Sequence, residues 1–95
     1  MTSLHTLNQA PSNASLMQSC LSSLQPDDTL LLIEDGVYWL LDTHRAKFPI
    51  ALNIKALRLD AQARGLLPLV AEVDLIEMDE FVHLSVTHDK IVSWF

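Results

Sequence analysis

At 95 residues the chain has room for one small domain, 1–95, and little surplus core with which to stabilise it. Its charged share is 19 %, against about 25 % in an average globular domain, while apolar residues reach 49 % and mean hydropathy is +0.24. Net charge is −6, and the six basic residues stand singly; this excludes a nucleic-acid footprint, argues against direct tRNA or DNA binding, and suits a basic protein partner.

Leu4-His5-Thr6-Leu7 reads as a short strand, ended by Asn8-Gln9-Ala10-Pro11. Ser12, Asn13 and Ser15 are cap residues for a helix reaching about Leu24. Its apolar face is Leu16, Met17, Cys20, Leu21 and Leu24; Ser19, Ser22 and Ser23 take the other side. Gln25-Pro26-Asp27-Asp28 breaks the helix. Thr29 to Ile33 then runs without polar alternation, the pattern of a strand covered on both faces in a parallel sheet. Glu34-Asp35-Gly36 stops it. Asp35 suits an N-cap, which predicts a helix from Val37.

Val37 to Leu41 is apolar nearly all round, so it lies between two surfaces or at a contact. Asp42 to Lys47 reads as a polar connection ended by Phe48-Pro49, and within residues 50–59 a third strand falls on Ile54-Lys55-Ala56-Leu57. Asp60 as N-cap and Gly65 at C′ bound one or two helical turns, and Leu66-Leu67-Pro68 turns the chain. Residues 73–78 read as a fourth strand. Asp79 then caps a last helix with an inward stripe of Phe81, Val82, Leu84, Ser85 and Val86, closed by His88-Asp89. Residues 90–95 form a last strand. Strands alternating with helices at this spacing predict an α/β fold: three α/β/α layers around a small, mostly parallel sheet of four to five strands.

The N-terminus shows no secretory pattern, and no stretch approaches the ~18 apolar residues of a membrane span, so the expectation is a cytoplasmic chain with no membrane contact. A single cysteine, Cys20, excludes an internal disulfide. It sits mid-helix on the apolar face with no basic neighbour, which favours packing over reactivity as a thiol. His5, His44, His83 and His88 show no metal-ligand spacing and read as surface or capping residues; no metal or cofactor is expected. Glu34 and Asp35 are a possible acid–base pair, though a turn acid and an N-cap account for them with less. Two glycines do not make a phosphate cradle. Tyr38, Trp39, Trp94 and Phe95 exceed what a small core needs and are interface candidates, with core packing as the alternative.

Several of these segments in this order resemble the TusB/DsrH family of sulfur-relay proteins. They are Leu4-His5-Thr6-Leu7, Leu30 to Val37, Asp60 with Ala63-Arg64-Gly65-Leu66, Asp79 with Phe81-Val82 and Leu84, His88, and Trp94. The resemblance implies a DsrE/F/H-type α/β/α fold and a non-catalytic subunit in a dimer of heterotrimers with TusC- and TusD-like chains. Such a complex takes persulfide sulfur from a TusA-like donor to a TusE-like acceptor for 2-thiolation of the tRNA wobble uridine. The sulfur-carrying cysteine then belongs to the TusD/DsrE-type subunit. Cys20 matches a first-helix cysteine found on the DsrH side, which keeps a sulfur-carrying role open, and two alternatives stand beside the non-catalytic reading. One is a subunit of a sulfur-oxidation complex with Cys20 as persulfide acceptor; the other is a homo-oligomeric binding module of the same fold.

Overall fold

The computed structural model describes residues 2–48 and 52–95. They form a five-stranded sheet of β1 (Ser3–Leu7), β2 (Thr29–Leu32), β3 (Asn53–Leu57), β4 (Leu75–Ile76) and β5 (Lys90–Trp94). The order is β4-β3-β2-β1-β5, and all four pairings are parallel. The helices are α1 (Ala14–Ser23), α2 (Asp42–Arg45), α3 (Arg58–Ala63) and α4 (Met78–Thr87), with a 3-10 helix at Glu34–Leu40.

From β1 to β4 the chain steps across the sheet in one direction. Helix α4 then carries it back to place β5 on the far edge of β1. Because parallel crossovers are right-handed, that reversal puts α4 on the face opposite the other helices. Two separate cores follow. Leu7, Leu30, Leu32, Ile54 and Ala56 pack under α1, the 3-10 helix and α3, through Met17, Cys20, Val37, Leu40 and Ala61. On the opposite face Leu4, Leu31, Leu57 and Ile76 pack, among the described residues, against Phe81 and Leu84 of α4, with Ile33 beside them. The three layers and the parallel sheet expected from the sequence are present, and β2 has all four of its residues buried.

Local differences have local causes. The helix expected from Val37 starts at Glu34, and Asp35 lies inside it instead of capping it. Glu34 takes φ +48, which turns the chain so sharply that Gly36 N–H bonds back to Ile33 O at 2.8 Å. The polar connection after Leu41 contains α2. Asp60 is not an N-cap: α3 starts at Arg58 directly from β3, and Asp60 sits in its first turn. Gly65 does stand at C′ with φ +71, where its N–H bonds Gln62 O while Leu66 N–H bonds Ala61 O, a Schellman closure. The fourth strand shrinks from 73–78 to Leu75–Ile76, since Glu72–Asp74 forms a 3-10 turn and Met78 already belongs to α4. Asp79 is therefore within α4, not before it. Of its expected inward stripe, Val82 and Val86 face solvent. The predicted stop at Phe48-Pro49 and the stretch from Ile50 fall partly outside the described residues.

Candidate functional site

Ligands of open α/β sheets gather beyond the carboxyl ends of the strands, so the end of β2 is the first place to examine. There Glu34 N–H donates to Asp60 Oδ2 at 2.8 Å, and Arg64 Nε donates to Asp35 Oδ1 at 2.9 Å. Arg64 Nη1 also donates to Asp60 O at 3.1 Å. The Asp60 and Asp35 carboxylates thus tie the 3-10 helix to α3, and the Asp35 carboxylate is engaged by Arg64. Gly36 is pressed so closely to β1 that a Cβ there would stand 2.2 Å from Leu7 O.

A buried polar cluster lies at the start of β2. Asp28, 2 % exposed, accepts from Ser3 N–H at 2.8 Å, Gln25 N–H at 3.0 Å and His5 Nε2 at 3.0 Å. Burial pushes the Asp28 pKa up, but the Gln25 and Ser3 amides and the His5 ring outweigh it and hold the carboxyl below its ordinary value. His5 Nδ1 accepts from Trp94 Nε1 at 3.0 Å. An indole N–H only donates, so the proton of the neutral His5 ring sits on Nε2. A second chain runs from Asn53 Nδ2 to Thr29 Oγ1 at 2.9 Å, then to His88 Nε2 at 3.0 Å, while His88 Nδ1 donates to Leu84 O at 2.8 Å. His88 caps α4 as expected from the sequence. His5 departs from that expectation: it is 3 % exposed and pins β1, β5 and the approach to β2 together. Sequence reasoning missed the cluster because His5, Asp28 and Trp94 meet only through strand pairing. The one local signal is two polar residues, His5 and Thr6, inside an apolar strand.

Cys20 is fully buried in the face of α1 that packs on the sheet, and burial pushes its thiol up to about 12. The four aromatics divide. Trp39 is buried, donates Nε1–H to Gln9 O at 2.9 Å and packs edge-on to His44 at 5.3 Å. Tyr38 is half-buried against the larger core. Trp94 stacks on His5 at 6.2 Å, and Phe95 is 65 % exposed. Two hollows open on the surface. One of about 320 Å³ lies between α1 and α2, lined by Met17, Leu21, Trp39, His44 and Phe48. The other, of about 280 Å³, lies between α4 and β5 and is lined by Val82, Ile91 and Phe95 among others.

A small parallel α/β fold, with its one thiol sealed in the core and its second sheet face left exposed at β5, is the class these features define. The chain belongs to the DsrH-like family: the family described as DsrH like protein matches residues 9–91. Among relatives, it is 38 % identical over 95 residues to "Protein TusB" of Pectobacterium atrosepticum, covering 96 % of this chain and 99 % of that protein. It is 36 % identical to "Protein TusB" of an Enterobacter species and 33 % identical to that of Escherichia coli K12, with the same coverage.

Proposed function

We propose that this chain, as a single TusB-like domain, is a non-catalytic subunit of a cytoplasmic sulfur-relay heterohexamer. Its companions are TusC- and TusD-like subunits, and the assembly passes persulfide sulfur from a TusA-like donor to a TusE-like acceptor for 2-thiolation of the tRNA wobble uridine. The observation that carries this reading is similarity to proteins named TusB along nearly the full length of both partners. Burial of Cys20 supports a partner role over a carrier role, because a persulfide acceptor needs an accessible thiolate. Co-expression with TusC- and TusD-like subunits, followed by mass determination in solution, tests the reading. A heterohexamer is the expected result. Recovery of this chain apart from both companions would overturn it.

A further inference from the structure

Among the described residues one ten-residue helix, α4, covers the second face of the sheet. On that face Leu4, Thr6, Leu31, Leu57 and Ile76 of β1 to β4 are buried, whereas Ile91 and Ser93 of β5 are exposed. Helix α4 lies over Leu4, Leu31, Leu57 and Ile76, one from each of β1 to β4. Beside buried Thr6 the floor at Ile91, Ser93 and Phe95 is left open, with Met78 and Val82 as the wall of the 280 Å³ groove. Of the eight large apolar side chains exposed among the described residues, four belong to α4 and β5 and a fifth, Phe95, follows β5 directly, so the surplus is concentrated at one place. Strand β5 also pairs with β1 alone among the described residues, so its outer edge presents free backbone donors and acceptors.

Charge selects between occupants. Asp79 and Glu80 are exposed at the head of α4, and neither has an ion-pair partner among the described residues. A second copy would bring the same carboxylates, on a chain of net charge −6, against themselves. We propose that the groove between α4 and β5 docks a different protein chain, through an apolar extended segment flanked by lysine or arginine that adds to the edge of β5.

This rests on the reading of the chain as a hetero-oligomer subunit and adds which surface meets the partner. The test titrates the full chain against purified TusC- and TusD-like subunits, singly and together. Val82→Asp and Ile91→Glu should each weaken association at least about tenfold while circular dichroism and melting stay near wild type. Val73→Asp, exposed beside the opposite edge strand, should leave association unchanged. Asp79→Lys combined with Glu80→Lys should weaken it severalfold, and more so at low salt. If both groove variants are folded and bind like wild type, the proposal fails and the subunit reading stands. If charge reversal leaves affinity unchanged or tightens it, the basic partner segment is wrong. A wild-type chain that ignores both companions overturns the subunit reading and this proposal with it, whereas a groove that supports only self-association overturns this proposal alone.

Discussion

Cys20 can meet a reagent only when α1 lifts from the sheet, because its side chain is fully buried and its thiol is held near 12. Against the ordinary value of 9.0, that lowers the thiolate fraction at pH 8 about a thousandfold. Iodoacetamide should therefore label Cys20 slowly in the native chain and fully in denaturant, as read by mass spectrometry; equal rates would contradict the burial. Asp28 gives a second test at the same scale. Asp28→Ala would leave Ser3 N–H, Gln25 N–H and His5 Nε2–H facing a void, at a cost of about 3 kcal/mol in urea unfolding at neutral pH. The folded carboxyl titrates below its ordinary 3.8, so its contribution is complete above that value and is lost as pH falls through the folded one. As pH falls through and below 3.8 the wild type should lose more stability than Asp28→Asn, which has no proton to take up there. Parallel profiles would remove Asp28 from the account.

The two glycines separate two ways in which an element depends on its residues. At Gly36 the 3-10 helix runs against β1, and Ile33 N–H bonds Leu7 O at 3.0 Å just beside the contact. A Cβ at 2.2 Å from that carbonyl forces backbone apart, so Gly36→Ala should cost about 2 kcal/mol or more. Gly65→Ala meets nothing within 4 Å and bears only the strain of φ +71, about 1 kcal/mol. Thermal melts of the two variants should fall in that order, and the reverse order would refute the packing at Gly36. Gly65 was legible in the sequence because the Schellman closure is local. The boundary between β4 and α4 was not. Residues 73–78 have strand-like composition throughout, but β3 pairs only with Leu75 and Ile76.

The molecule as a whole covers its two sheet faces unequally, and this imbalance follows from topology. Four strands laid down in one direction send their connections to one face, and a single return sends one helix to the other. A partner that binds the folded chain stabilises it by mass action. In scanning calorimetry the transition of this chain should rise by several degrees with TusC- and TusD-like subunits in excess, and an unmoved transition would count against the subunit reading.

Composition and periodicity by themselves determined a small parallel α/β domain, an apolar excess too large for so few residues, and a thiol on the packed face of the first helix. These are properties of neighbouring residues and of sums, and a linear pattern carries both. Only the tertiary structure decided that His5, Asp28 and Trp94 form one hydrogen-bonded cluster, that Asp35 and Asp60 tie the 3-10 helix to α3, and that the apolar excess surfaces between α4 and β5. Each depends on strand order and crossover hand, which bring distant residues together, and neither is written in the spacing of any single segment.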